Sequence, residues 1–281
     1  MKIFRTANKI FEFKKLSILE NKIIGFVPTM GALHQGHLAL VRQAKKESDY
    51  CIVSIFVNPK QFNNIDDYNN YPKSIEKDIS LLKECNCDIL YLPENNDIYG
   101  NYQGYKMDFE GLDNVLEGKY RTGHFQGVVD VVYRLFDIIK PDKSYFGIKD
   151  YQQLLIIKKM IKQAGFNIEI VECPIVREKS GLAMSSRNMR LSEKQKNNAA
   201  KIYEIIRNKK FSIDDNPKQI ENQISQEINN IPDLKTEYVI FCEQDSLNQA
   251  YQFEKNNGVM LCVAVYCDKV RLIDNFFYVF K

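Results

Sequence analysis

Apolar runs alternate with amphipathic segments over the first two thirds of the chain. Runs rich in Ile, Val and aromatic residues predict five buried strands, at 23–27, 50–57, 88–92, 144–146 and 168–173. Between these runs apolar residues recur at helical spacing, which predicts helices that begin near 38, 74 and 128 and one that ends near 164. Strands that alternate with helices pair in parallel through right-handed crossovers. The pattern therefore predicts an α/β fold with a Rossmann-like, doubly wound parallel sheet.

The pattern changes at about residue 190, where Lys, Asn, Gln and Glu become frequent. Two helical patterns, at 192–208 and 216–230, precede three strand-like runs, at 236–242, 259–267 and 270–275. Helices followed by strands predict a smaller α+β domain at the C-terminus.

The length of 281 residues allows one large domain or one medium and one small domain. We place the boundary at the change of pattern, with a Rossmann-like domain over 1–188 and a C-terminal α+β domain over 189–281. The segment 93–122 is rich in Asn, Tyr and Gly and is longer than a connection needs, which indicates a functional loop or flap.

Charge and composition narrow the possible partners. The chain carries 39 Lys and Arg against 36 Asp and Glu, and this balance favours neither nucleic acid nor a membrane surface as a partner. Its N-terminus lacks the apolar core of a signal peptide, and no run of about 18 apolar residues occurs. Seven cysteines without a CxxC pair indicate buried thiols in a reducing compartment. We therefore expect a soluble cytoplasmic protein.

The strongest chemical signal is the segment Pro28-Thr29-Met30-Gly31-Ala32-Leu33-His34-Gln35-Gly36-His37, between the first predicted strand and helix. The first N–H groups of a helix lack partners and favour an anion, so a strand that turns into a helix is a phosphate-site architecture. The spacing from Gly31 to Gly36 matches a Walker A loop. However, His37 stands where that loop needs Lys, and no Ser or Thr follows to bind magnesium.

The remaining feature of this segment is a pair of imidazoles, on His34 and His37, which can point together at one phosphate. Two histidines at this spacing are also compatible with a zinc pair or with packing and capping residues. Two of the three histidines of the chain lie here, and no cysteine or carboxylate nearby completes a metal set. These observations favour the phosphate interpretation.

Five segments, in order along nearly the whole chain, resemble the pantoate–β-alanine ligase family, whose HxGH motif belongs to the nucleotidyltransferase superfamily. They are 28–37, Ser54-Ile55-Phe56-Val57-Asn58-Pro59-x-Gln61-Phe62, Lys149-Asp150-Tyr151-Gln152-Gln153, Met184-Ser185-Ser186-Arg187-Asn188 and Arg271-Leu272-Ile273-Asp274-Asn275. The chain departs from the family at Ile148, where Glu is usual, and at Lys73, where Arg is common.

The resemblance implies an ATP-dependent ligase of vitamin B5 biosynthesis. Such an enzyme converts the pantoate carboxylate with Mg2+ and ATP into pantoyl adenylate and pyrophosphate, and the β-alanine amine then displaces AMP to form pantothenate. It also implies a homodimer whose C-terminal domain covers the active site as a lid. Adenylation builds charge on phosphate oxygens, so fixed hydrogen-bond donors are its main requirement and a covalent nucleophile is unnecessary.

The resemblance also assigns site residues. The catalytic set is His34, His37, Lys149, Ser185, Ser186 and Arg187. The ATP-binding set adds Met30, Gly31, Gly147, Ile148, Asp150, Val176 and Met184 to these six. Gln61 and Gln153 correspond to the pantoate-binding glutamines, and Asp78 is the candidate for magnesium.

Two alternatives belong to other classes. A fragment of a class I aminoacyl-tRNA synthetase shares His-x-Gly-His and a Met-Ser loop, but a stronger basic bias and an RNA-binding appendage are expected there. A non-catalytic nucleotide-binding regulator is the second, because fold does not guarantee activity. Pyrophosphate release with ATP, pantoate and β-alanine distinguishes all three, since a synthetase needs tRNA and a regulator releases none.

Overall fold

The computed structural model describes residues 1–19, 21–255 and 258–280. Contacts divide the chain into two compact units of three segments each. Unit 1 comprises Met1–Glu110, Arg121–Ile148 and Gln153–Pro174, and unit 2 comprises Gly111–Tyr120, Lys149–Gln152 and Ile175–Lys281. The functional division into a catalytic part and a cover at residue 188 stays a prediction.

Within the described residues, unit 1 is built on a six-stranded sheet in the order β1-β4-β3-β2-β5-β6, with every neighbouring pair parallel. The strands are β1 Lys2–Phe4, β2 Ile24–Thr29, β3 Tyr50–Ile55, β4 Ile89–Tyr91, β5 Lys143–Gly147 and β6 Glu169–Cys173. The predicted parallel sheet is confirmed. The edge strand β1 was not predicted, because its three residues form too short a run to show an alternating pattern.

Helices follow most of the strands. They are α1 Ala7–Leu19, α2 Gln35–Glu47, α3 Ile65–Asn69, α4 Ile75–Glu84, α5 Asn95–Tyr99, α6 Leu116–Tyr120, α7 His124–Ile139, α8 Tyr151–Ala164, α9 Glu193–Asn208 and α10 Pro217–Asn229. Helix α8 ends at Ala164, and the next residue, Gly165, has a φ of +68°, which gives the left-handed C-terminal cap that the sequence predicts. The segment 93–122, predicted to be irregular, contains α5 and α6.

The strand order of unit 1 reverses next to β2. From β2 the chain adds β3 and β4 on one side of the sheet and then returns to add β5 and β6 on the other side. The order therefore reverses between β2 and β5, and ligands of such sheets bind beyond the carboxyl ends of the strands at this point. Strand β2 ends at Thr29, directly before the segment with the two histidines, and β5 ends at Gly147.

Unit 2 contains an antiparallel sheet, and its three strands among the described residues lie in the order β7-β8-β9. They are β7 Leu234–Cys242, β8 Gly258–Cys267 and β9 Val270–Val279. Ile206 of α9 and Ile224 of α10 belong to one buried apolar cluster with Phe241 and Leu261 of the sheet. The predicted small α+β architecture is confirmed, and β9 continues four residues beyond its predicted end. No helix in the described part of the chain has both the length and the apolar character needed to cross a membrane.

All seven cysteines are buried, as the sequence predicts. Burial raises the pKa of the Cys85 thiol and raises that of Cys173 to about 11. The hydrogen bond with Cys87, together with burial, raises the pKa of Cys51. A raised pKa means less thiolate at a given pH, and the thiolate is the reactive form.

We therefore expect the native protein to react slowly with Ellman's reagent at pH 8 and to release about seven equivalents of chromophore once denatured. The absorbance of the released thionitrobenzoate checks this. Rapid reaction of several thiols in the native protein would show that these thiols are not buried and that their pKa values are not raised.

Candidate functional site

The turn after β2 has a constrained backbone. Gly31 and Ala32 both adopt left-handed conformations, with φ of +82° and +50°. A Cβ atom on Gly31 would lie 3.0 Å from a methyl carbon of Ile55 and 3.1 Å from a carboxylate oxygen of Asp78. Only glycine meets both conditions without displacing a neighbour, since the left-handed region strains other residues. The turn leads directly into α2, whose N-cap residue is His34.

The two histidines form a reciprocal cap at the start of α2. The Nδ1 atom of His34 accepts the N–H of Gly36 at 3.1 Å, and that of His37 accepts the N–H of His34 at 3.4 Å. The ring centroids lie 4.0 Å apart. A ring nitrogen that accepts a hydrogen bond carries no proton, so each neutral ring bears its proton on Nε2. The capping interpretation is confirmed, and the cap makes Nε2–H a donor on both rings.

Asp78 holds this turn from α4. Its side chain is buried, and its two carboxylate oxygens accept the N–H groups of Ala32 and Leu33, each at 2.8 Å. The hydroxyl of Ser74 donates to the same carboxylate at 3.3 Å. These contacts commit the carboxylate to the backbone and favour a bracing role over the magnesium role, which stays a prediction. Within the described ranges, no group of three His, Cys, Asp or Glu side chains is placed to hold a metal.

Gln61, predicted to bind pantoate, lies in a short turn after β3. Its Oε1 atom accepts an N–H of Asn58 at 3.2 Å, and Asn58 also donates to the carbonyl of Gly127 at 2.9 Å. The side-chain amide of Gln61 then donates to the sulfur of Met30 at 3.1 Å. The structure thus brings Gln61 next to Met30 of the histidine segment, with the orientation of its amide set by Asn58.

Sequence reasoning missed Asn58 and His124 as supports of Gln61. The Nδ1 atom of His124 lies 2.6 Å from the carbonyl oxygen of Gln61, and Asn58 is almost fully buried. A buried asparagine next to a proline-containing turn is a signal for Asn58, because its side chain satisfies turn backbone. No comparable signal exists for His124, since its partner lies 63 positions away.

The predicted residues after β5 are divided between the units. Gly147 ends β5, Ile148 begins a short 3-10 turn, and Gln153 lies half-buried in the first turn of α8, all in unit 1. Lys149 and Asp150 belong to unit 2, where the Lys149 ammonium lies 3.3 Å from the Asp150 carboxylate. The predicted strand–glycine–helix unit is confirmed.

The remaining predicted ATP residues lie together on a hairpin and a turn of unit 2. The N–H of Met184 donates to the carbonyl of Val176 at 3.0 Å, which closes the hairpin. Ser185 then caps a 3-10 turn, and its hydroxyl oxygen accepts the N–H of Arg187 at 3.3 Å. Ser186 is buried in the same turn. Two hydroxyls and a guanidinium on one short turn form a donor set suited to phosphate oxygens.

An ionic cluster around the buried Glu117 side chain in unit 2 was not predicted. Arg271 makes two hydrogen bonds to Glu117, at 2.6 and 2.7 Å, and further bonds to Glu237. Burial by itself lowers the pKa of Arg271, but the bonds to Glu117 and Glu237 outweigh it and the pKa is raised. The Tyr238 hydroxyl donates to Glu117 at 2.7 Å, and burial followed by the Glu117 charge raises the pKa of Tyr238. The cluster fastens α6 to the small sheet.

Comparison with known proteins gives a consistent result along the whole chain. The sequence model of the family described as pantoate-beta-alanine ligase matches residues 2–277. The chain is 45% identical over 278 residues to the pantothenate synthetase of Christiangramia forsetii, covering 98% of each protein. It is 44% identical over 263 residues to that of Cytophaga hutchinsonii, covering 91% of this chain and 92% of the relative.

Solved structures agree with the sequence matches. The crystal structure of the pantothenate synthetase from Thermus thermophilus matches with a TM-score of 0.87 at 35% identity, covering 98% of this chain and 99% of that one. The pantoate-beta-alanine ligase from Francisella tularensis, complexed with beta-gamma ATP and beta-alanine, matches with a TM-score of 0.83 at 39% identity. That match covers 98% of this chain and 97% of the other.

The contacts of Asp78 generate a test of its role. In Asp78→Asn one of the two backbone N–H groups faces an amide NH2 and loses its acceptor, so we expect the free energy of unfolding to fall by about 1–3 kcal/mol. Urea denaturation measures the change. Glu76→Gln, at an exposed position of the same helix, is the control and should leave stability within ~0.5 kcal/mol. Unchanged stability of Asp78→Asn, with altered magnesium dependence of activity, would instead support a ligand role.

Proposed function

The chain belongs to the pantoate–β-alanine ligase family, and we propose that it forms pantothenate by way of a pantoyl-adenylate intermediate, with release of pyrophosphate and then AMP. The chain is an enzyme of the ligase class and takes ATP as a substrate. The observation that carries the proposed mechanism is the capped pair His34 and His37 at the carboxyl end of the central strand β2.

The first step is attack of a pantoate carboxylate oxygen on the α-phosphorus of ATP. The bond from the α-phosphorus to the bridging oxygen breaks, and pyrophosphate leaves with the electron pair. Negative charge grows on the phosphate oxygens in the transition state, where fixed donors stabilise it more than they stabilise the ground state. We assign this task to the Nε2–H groups of His34 and His37, whose orientation the helix cap sets.

The donors of unit 2 serve the β- and γ-phosphates in this proposal. Lys149 supplies a point charge, Ser185 and Ser186 supply hydroxyls, and Arg187 supplies a planar guanidinium that can bind two oxygens at once. The other ATP-binding positions are those that the family resemblance assigns: Met30, Gly31, Gly147, Ile148, Asp150, Val176 and Met184.

Pantoate binding is assigned to Gln61 and Gln153. Asn58 donates to the Oε1 atom of Gln61, and one N–H of the Gln61 amide donates to the Met30 sulfur. An amide NH2 has a second N–H, which can donate to a hydroxyl or carboxylate oxygen of pantoate. An amide of this kind holds the substrate without competing as a nucleophile. In the second step the β-alanine nitrogen attacks the acyl carbon, the acyl C–O bond breaks, and AMP leaves with that oxygen.

We propose that Mg2+ enters with ATP, bound to phosphate oxygens and water, as is usual for this ion. The assembly is a homodimer in this account, and the small C-terminal domain is a cover that protects the acyl adenylate from water. We further propose a cytoplasmic location, which the seven buried cysteines support because such thiols persist in a reducing compartment. Neither nucleic acid nor a membrane is a partner.

Replacement of His37 separates its two roles. His37→Ala removes one side of the helix cap, which costs about 1 kcal/mol of stability. It also removes one transition-state donor, so we expect the rate of adenylation to fall by ~10²-fold or more. Pyrophosphate release in a coupled assay and thermal unfolding measure the two effects. A folded variant with near-normal turnover would remove His37 from the mechanism.

An 18O label in pantoate can show whether adenylation precedes the attack of β-alanine. ATP and pantoate alone should release about one pyrophosphate per site and leave a tightly held adenylate. With 18O in the pantoate carboxylate, label should appear in free AMP after β-alanine is added, because AMP leaves with a former carboxylate oxygen. Mass spectrometry reads the label. Release of ADP and inorganic phosphate would show an acyl-phosphate ligase instead.

The molar mass of the protein in solution tests the proposed homodimer. Gel filtration with light scattering should give twice the chain mass of 32.8 kDa at micromolar concentration. A mass equal to one chain under the same conditions would contradict the proposed assembly.

A further inference from the structure

The segment Arg271-Leu272-Ile273-Asp274-Asn275 lies on β9, and Asp274 and Asn275 take no part in the chemistry assigned so far. Both side chains are buried, with 7% and 5% of their surface exposed. Neighbouring residues of a strand point to opposite faces, so the two side chains can hold two different segments. In this structure both segments carry residues with a proposed role in ATP binding.

Asp274 fixes an arginine at the base of the hairpin. Its carboxylate accepts two hydrogen bonds from the Arg177 guanidinium, at 2.6 and 2.8 Å. Arg177 also donates to the carbonyl of Gly181 at 3.1 Å, and its guanidinium carbon lies 3.5 Å from the ring centroid of Tyr203. A two-point ion pair to a buried carboxylate, together with these added contacts, holds the half-buried Arg177 side chain in a single position.

The fixed arginine positions the serine turn. Arg177 pairs with Ala183 across the hairpin, next to the hydrogen bond between Met184 and Val176. Asn188, at the far end of the turn, donates to the carbonyl of Ala183 at 3.0 Å. A shift of Arg177 would therefore carry the hairpin and the turn 185–187 with it.

Asn275 holds the second segment. Its amide NH2 donates to the main-chain carbonyl of Lys149 at 2.9 Å, and its own N–H donates to the carboxylate of Asp274 at 2.8 Å. The Lys149 backbone and the hairpin are thus tied to consecutive residues of one strand. The distance between their attachment points is set by a single peptide unit, which is rigid.

We propose that Asp274 and Asn275 are positioning residues that fix the spacing between Lys149 and the turn 185–187, and so set the affinity for the triphosphate of ATP. This inference rests on the proposed function, because it takes those two segments as the phosphate-binding ones. Both residues contact unit 2 segments, whereas Gln61 and Gln153 of unit 1 are assigned to pantoate. Loss of either positioning contact should therefore affect ATP more than pantoate.

The test compares three variants in the full chain. Asp274→Asn weakens the hold on Arg177, Asn275→Asp places an acceptor against the Lys149 carbonyl, and Asn275→Ser removes the amide with little change in packing. Each should raise the Kd for ATP by about 10-fold, the change expected when about one charge-assisted hydrogen bond to the triphosphate is lost. The KM for pantoate should stay within about twofold of wild type. Equilibrium titration with ATP and initial rates measure these quantities.

The matched control is Glu237→Gln, which removes one carboxylate from the half-buried Arg271 in the same sheet and contacts neither ATP segment in the bonds described. It should lower the melting temperature and leave the Kd for ATP unchanged.

The results that contradict the positioning role differ from the result that contradicts the proposed function. Folded variants that bind ATP like wild type would overturn the positioning role, and so would a Kd in the control that rises as much as in the variants. If all three variants fail to fold, the motif is structural and the proposal is wrong. A wild-type protein that releases no pyrophosphate with ATP and pantoate would refute the proposed function itself, whatever the variants do.

Discussion

The site depends on how the backbone N–H groups between β2 and α2 find acceptors. The first N–H groups of a helix have no partners within the helix, and a tight turn before it adds more. In this chain Asp78 accepts two of them, and the rings of His34 and His37 accept two others. Satisfying the backbone in this way fixes the proton of each neutral imidazole on Nε2. The helix cap and the two donors that we propose for catalysis are therefore one arrangement.

The parallel sheet and the turn that carries the two histidines could be predicted from the sequence, because each depends on residues that are close together in the chain. Strand-like runs predict the parallel sheet, and the segment 28–37 carries both the turn glycine and the two histidines. Supports that depend on distant residues could not be found in this way. Asp78 lies 46 positions from Ala32, and Asp274 lies 97 positions from Arg177. Nothing in a single sequence pairs residues across such separations.

Unit 2 shows the same dependence on long-range contacts. Glu117 and Arg271 are 154 positions apart, yet they form a partly buried ion pair that joins α6 to β9. Gln152 adds to this junction by accepting the N–H of Glu117 at 2.9 Å. A buried pair of charges adds little net stability, but removing one partner costs about 3–5 kcal/mol because the other charge is left unpaired. Here the pair holds α6, whose residues lie between two segments of unit 1 in the sequence, against β9 of unit 2.

The helix cap keeps the imidazoles of His34 and His37 as Nε2–H donors, and the position of each ring proton can be measured directly. The chain has three histidines, so 15N-histidine labelling gives a simple long-range 1H–15N spectrum in which each ring nitrogen can be assigned with single-histidine variants. At a pH where the rings are neutral, the account predicts that His34 and His37 have a protonated Nε2 and an unprotonated Nδ1. A protonated Nδ1 on either ring would contradict it, since that nitrogen could not accept the backbone N–H that holds the ring in place.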